Sequence, residues 1–158
     1  MPSKIICALI FVLYGCVSNA DDVQPSKLVG DFYRTYISTS EQIKQFKNYS
    51  LDEQYELYLF GNQVVHPPAT YLAAPFAKQG PIIVPFLKAK LEATQKEVTI
   101  RDIAAVLSEL ARLKLYDFSR DSELMGLLER RANDMQGIWK KIVLDMISEI
   151  KSNGTSTH

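Results

Sequence analysis

The sequence predicts an all-α fold of antiparallel helix pairs, and three observations predict it. Apolar residues recur at three- and four-residue spacing in segment after segment beyond residue 25, which marks one buried helix face. Helix start signals, Ser, Thr or Asp ahead of an apolar stripe, precede several of those segments. No run alternates apolar and polar residues between turn signals, as a half-buried strand would.

The elements follow in order. Between Pro25 and Thr39, Leu28, Val29, Phe32, Tyr33, Tyr36 and Ile37 make the stripe of a first helix. The short polar residues Ser38, Thr39 and Ser40 can cap a second, from Glu41 to Phe46. Ser50 and Glu53 are spaced as a capping box, in which the hydroxyl and the carboxylate each satisfy an amide of the first turn. The helix they open is expected to reach Val65, with Tyr55, Leu59 and either Tyr58 or Val64 inward. Pro67 and Pro68 stop it after His66, because Pro restrains the preceding residue and lacks an amide proton.

A short helix from Pro68 to Lys78 is expected next, bent by Pro75. Gly80 and Pro81 read as one helix ending and another beginning. Ile82, Ile83, Phe86, Leu87 and Leu91 line the new helix, with Pro85 near its first turn. Thr99 is expected to open the following one, with Asp102 as its capping partner. Ile103, Ala104, Leu107, Leu110 and Ala111 form that helix's inner stripe, to about Leu115. Asp121 or Ser122 caps a helix lined by Leu124, Leu127, Leu128 and Met135. The last, from Gly137 to Lys151, carries Ile138, Trp139, Ile142, Val143, Met146, Ile147 and Ile150 on one side.

The first residues have the form of an export signal. Lys4 is followed by an apolar stretch from Ile5 to Val17 and then by small residues. The stretch is shorter than the ~20 residues a membrane-spanning helix needs, and Asp21 and Asp22 follow at once, where lipid would be costly. Two processing readings stand. Ser18, Asn19 and Ala20 permit cleavage after Ala20 and release of a soluble protein. Alternatively, Leu13, Tyr14, Gly15 and Cys16 resemble the bacterial lipobox. That resemblance implies lipid attachment at Cys16, a tether to a membrane surface without a span. The chain thus divides into a signal peptide (1–20), a single helical domain (21–151) and a disordered polar tail (152–158).

Cys7 and Cys16 are the only two cysteines, and both lie in the leader. The exported part then has no disulfide, no thiolate nucleophile and no Cys metal site, and an apolar core must hold it together. Charge is balanced, 18 basic residues against 18 acidic. That argues against a nucleic-acid partner, which calls for a basic surface.

Val84, Pro85, Leu87 and Leu91, followed after a polar gap by Arg101, Ala104, Ala105, Leu107 and Leu110, resemble the HEAT-repeat pattern. A shift of about 41 residues lays Ile83, Phe86 and Leu87 over Leu124, Leu127 and Leu128, within the period of such repeats. The resemblance covers residues 69–133. It implies a HEAT-like stack, with an irregular helical bundle as the other architecture, and a binding scaffold without catalytic residues of its own.

The residues themselves point to no catalytic constellation. His66 is the only His ahead of the tail, with no Cys partner and no Gly-x-Ser-x-Gly turn anywhere. No His or carboxylate pair has metal-ligand spacing, and the Gly residues are scattered singly, so no phosphate cradle is predicted. No cofactor is expected. Tyr49, Tyr55, Tyr58, Phe60, Tyr71 and Phe76 cluster, however, with Asn62 and His66 among them. Tyr combines apolar area with a polar tip and suits partner-binding surfaces. Tyr58, Asn62, His66 and Tyr71 are therefore the candidate groove, against the plain alternative that the rings fill the core. Asn48 and Asn153 stand in glycosylation acceptor patterns, which bear on a eukaryotic secretory route and not on a bacterial one.

The functional expectation is an exported, non-enzymatic protein of the bacterial envelope or periplasm that binds a protein partner and meets the membrane only through Cys16. The alternatives are a periplasmic inhibitor or immunity-type protein, or a small ligand carrier or hydrolase using the region of Tyr58, His66 and Tyr71.

Overall fold

A computed structural model describes residues 26–34 and 38–154. The leader with Cys16 and Ala20, the linker to Pro25, Tyr36 and Ile37 of the first stripe, and residues 155–158 lie outside the described residues. Among the described ones there are eight α-helices and no strand. They are α1 (Lys27–Arg34), α2 (Thr39–Phe46), α3 (Leu51–Gln63), α4 (Ala73–Ala77), α5 (Val84–Ala93), α6 (Glu97–Arg112), α7 (Ser122–Asp134) and α8 (Trp139–Gly154).

Local signals explain most of the boundaries. The Ser38 hydroxyl accepts from the Glu41 amide at the start of α2. At α3 the capping box is complete: Ser50 accepts from the Glu53 amide while the Glu53 carboxylate accepts from the Ser50 amide at 2.8 Å. Asp121 caps α7 through the Leu124 amide at 2.9 Å. Gly80 takes φ +73°, a conformation a side chain would strain. A 3-10 turn over Gly80–Ile83 then leads into α5.

Three boundaries differ from expectation. Another 3-10 turn, Thr70–Leu72, precedes α4, so Pro75 falls in that helix's first turn, where a missing amide proton costs nothing and causes no bend. α6 begins at Glu97 rather than Thr99, after Lys96, which gives no side-chain cap. Thr99 and Asp102 are buried inside the helix and do not cap it. α8 runs on through Ser152 and Asn153 into the stretch expected to be tail. Ile150 is buried there, and Lys151 pairs with Glu129 of α7 at 2.7 Å, so the last turn has partners that hold it.

The rings of Phe32, Phe46, Phe76 and Tyr58 join α1, α2, α4 and α3 in a chain of aromatic contacts. Two of the six clustered aromatics, Tyr58 and Phe76, are buried, while Tyr49, Tyr55, Phe60 and Tyr71 pack half-buried on the core. α1 lies close on α3 because Gly61 has no side chain: a Cβ there would come within 2.1 Å of the Tyr33 hydroxyl oxygen. That hydroxyl donates to the Leu57 carbonyl at 2.8 Å.

Cross-helix contacts give the directions. Tyr58 meets Asp102 and Gln63 meets Thr99, so α3 and α6 are antiparallel. Asn133 meets Lys140 and Glu129 meets Lys151, so α7 and α8 are antiparallel. Lys88 reaches Glu123 and the Glu92 carbonyl accepts from Arg131, so α5 and α7 run the same way. Glu97 accepts from the Gln136 and Gly137 amides and Ser108 reaches Glu149, so α6 and α8 do too. The pairs α5–α6 and α7–α8 therefore follow one another in the same orientation.

Several expected stripe positions face outward. Ile82 is 69% exposed, Ile138 80% and Ile142 40%. On α3 the inner face is turned from the expected one: Gln54, Leu57, Tyr58, Gly61 and Asn62 are buried, Tyr55 and Leu59 are half-buried, and Val64 is exposed. Two polar residues on its buried face, Gln54 and Asn62, made its apolar rhythm too weak to orient it.

Candidate functional site

α3 and α6 cross where each puts polar residues on its buried face. Asp102 of α6 is 1% exposed, and α3 supplies most of its partners. Gln63 donates to Oδ2 at 2.8 Å, Asn62 donates to Oδ1 at 3.4 Å, and the Tyr58 hydroxyl donates to the Asp102 backbone carbonyl at 2.9 Å. The adjacent Arg101 donates to Oδ1 through Nε at 2.9 Å and Nη2 at 2.5 Å. Its guanidinium lies over the Trp139 ring of α8, 4.2 Å from the centroid, an arrangement that favours a cation. One carboxylate thus ties α3 to α6, and its neighbour ties α6 to α8.

Burial pushes the Asp102 carboxyl above its ordinary pKa, and the donors from Gln63, Arg101 and Asn62 offset only part of that. Burial also raises the Tyr58 hydroxyl far above the usual tyrosine value, with the Asp102 charge adding to it. The phenol stays protonated near neutrality, and both carboxylate oxygens accept hydrogen bonds.

Beside this network is a cavity of about 220 Å³. Tyr58, Asn62, Arg101 and Asp102 form its polar side, and Pro68, Thr70, Ala73, Ala105 and Met146 close the rest. Asn62 has a second feature. Its Oδ1 is buried and has no hydrogen-bond partner, which is costly for an acceptor removed from water. One turn before Met146 on α8, Ile142 is exposed, and so is Ile138 in the turn that precedes the helix.

Of the four candidate residues, Tyr58 and Asn62 meet at this cavity. Tyr71 is half-buried elsewhere, its hydroxyl donating to Gln42 of α2. His66 is exposed in the turn after α3. Asn48 and Asn153 are exposed as well, and Cys16 is outside the described residues. Arg101, Asp102, Gln63, Ala105 and Met146 belong to the site without having been singled out for it. Thr99, Asp102 and Val106 share one face of α6 at helical spacing and all three are buried. A charge on a face bounded by buried residues was the available signal, and the start-of-helix reading of Thr99 and Asp102 hid it.

The arrangement can hold a compact, mainly apolar group beside one guanidinium. Among the described residues no cluster of three His, Cys, Asp or Glu could hold a metal ion, and no helix is long and apolar enough to cross a membrane. Compared with known proteins, the chain matches no family model, no curated protein and no solved structure.

Proposed function

We propose that this chain is an exported helical protein of the bacterial cell envelope that works by binding another protein and not by catalysis. The observation that carries this reading is the cavity between α3, α4, α6 and α8, lined in part by Met146, together with the exposed Ile142 one turn earlier on α8 and the exposed Ile138 just ahead of that helix. Single exposed apolar residues are ordinary on a protein surface. Exposed apolar residues near an apolar cavity suit a partner-binding surface. The like-oriented pairs α5–α6 and α7–α8 support a HEAT-like stack, and with it a binding scaffold. The leader supports export: with Cys16 acylated the domain is tethered, and with cleavage after Ala20 it is released.

The test is affinity capture from the native envelope with the wild-type chain, Cys16→Ser and Ile142→Glu. The last variant is checked for fold by circular dichroism. The expected result is a partner retained with wild type and lost with Ile142→Glu. The same set of captured proteins with both would sink the proposal. Loss of membrane association in Cys16→Ser alone would select the tethered form. A single stoichiometric enzyme in the capture would select the inhibitor form of the same reading.

A further inference from the structure

Resting on the protein-binding reading, we infer that Asp102, Arg101 and Trp139 form a proton-operated latch that regulates the partner surface. With Asp102 charged, Arg101 is held over Trp139 and the start of α8 is fixed. When Asp102 takes a proton, Arg101 releases the ring. The first turn of α8, with Ile142 on it and Ile138 just ahead of it, then loosens.

Three observations lead there. The first is connectivity. Asp102 accepts from Gln63 and Asn62 of α3 and from Nε and Nη2 of Arg101. That same guanidinium lies on Trp139, 4.2 Å from the ring centroid. One buried charge thus reaches the first residue of α8, next to the exposed Ile138. The second is where the charges can go. The Arg101 side chain is 16% exposed and that of Asp102 only 2%. A guanidinium keeps its charge whatever the carboxyl does. Without its partner it is a largely buried, unpaired cation, which costs more than the ring contact returns. Its open edge gives it a way to water. The proton leaves a neutral group where burial is deepest and sends the remaining charge to solvent. Burial already biases the Asp102 carboxyl toward its protonated form.

The third is the isolation of that carboxyl. On α3, Tyr58 and Tyr55 feel its charge, but burial holds both phenols neutral, and Asn62 and Gln63 do not titrate. Pro68, Thr70 and Ala73 come from α4 and the chain before it, and Met146 and Trp139 from α8; none of them titrates. On α6 the charged groups are Arg101 and, two turns on, Glu109, whose charge reaches Tyr58. Beside the start of α8, Lys140 donates to the Asn133 carbonyl and Glu97 accepts from the Gln136 and Gly137 amides. Glu97 is therefore the competing carboxylate that the experiment must separate from Asp102.

Trp139 is the only Trp in the chain, so its fluorescence reads the latch. Emission and acrylamide quenching of the purified protein are followed between roughly pH 7 and pH 4. In the wild type one step is expected on acidification, to longer wavelength and stronger quenching, with helix content by circular dichroism unchanged. Asp102→Asn is neutral throughout, so it should show the acid-form emission already at neutral pH and no step. Glu97→Gln should keep the step. If Asp102→Asn does not fold, the Arg101 Nε–H signal of the wild type decides, and it is expected to move with the same midpoint. The latch is overturned if the wild type shows no step, or a step that coincides with loss of helix. It is equally overturned if Asp102→Asn keeps the step, or if Glu97→Gln abolishes it. Partner retention should be weaker at the acid end in the wild type, and equal retention at both ends would overturn the regulatory role. No step, with capture still sensitive to Ile142→Glu, sinks the latch alone. A step with capture insensitive to Ile142→Glu sinks the protein-binding reading and with it the regulation.

Discussion

Asp102 is the residue on which three helices converge, and its energetics are set by two opposed effects. Removing a carboxylate from water is costly, while Arg101, Gln63 and Asn62 return part of that cost as hydrogen bonds. Deleting it leaves the largely buried Arg101 without its counter-charge, so Asp102→Ala should lose about 3 kcal/mol in urea unfolding. The pH dependence has a definite sign. The folded state holds the Asp102 proton more tightly than the unfolded chain does, because its pKa is raised. Stability from this group is therefore full below the ordinary aspartate value. It falls as pH rises from there through the raised value, and stays lost above it. Asp102→Asn cannot titrate. Unfolding curves from about pH 3 to pH 7 should show that downward component in the wild type and not in the variant; identical pH profiles would contradict the assignment.

At the scale of an element, two helix positions have strained or crowded geometry that can be checked. Gly61 lets α1 approach α3, and a Cβ there would strike the Tyr33 hydroxyl and the Ala69 side chain, the latter at 2.7 Å. Gly61→Ala should destabilise by about 2 kcal/mol through overpacking. Tyr33→Phe removes the hydroxyl that donates to Leu57, so it is harmful alone but should cost less, or help, in the Gly61→Ala background. A double-mutant cycle reads that coupling, and simple additivity would contradict the close approach. The C-terminal end of α6 is the second case. Lys114 takes φ 54°, and it and Leu115 donate back to the Ala111 and Leu110 carbonyls. A left-handed residue after a helix is the position Gly favours. Lys114→Gly should therefore stabilise by about 0.5–1 kcal/mol, raising Tm by a few degrees in a thermal melt.

For the molecule as a whole, α8 has two faces with different duties. Val143, Ile147 and Ile150 are buried against its neighbours, while Ile142, and Ile138 just ahead of the helix, are exposed. Ile147→Ala should cost about 3 kcal/mol through lost burial and a residual cavity. Ile138→Glu should stay within about 0.5 kcal/mol of wild type. Parallel denaturation curves test both, and a large loss in Ile138→Glu would mean that this face is structural after all. If these exposed residues serve a partner, that same substitution separates folding from binding: the protein melts normally and captures nothing.

Much of this architecture could be read before any coordinates. The stripes at 3.6-residue pitch, the capping box at Ser50 and Glu53, the Asp121 cap and the stop at Pro67 are local, and local geometry is written in neighbouring residues. They yield helix content, order and most boundaries. The direction in which α3 faces was not legible, because Gln54, Gly61 and Asn62 are buried on it and only their partners make that tolerable. The site was half legible for the same reason. Tyr58 and Asn62 stood out as chemistry, but Asp102, Arg101 and Trp139 join them only because α3, α6 and α8 pack at one crossing. Residues far apart in the chain find each other through packing, which no stretch of neighbouring residues encodes. Periodicity says which segments coil, and only their mutual burial says which polar groups must meet.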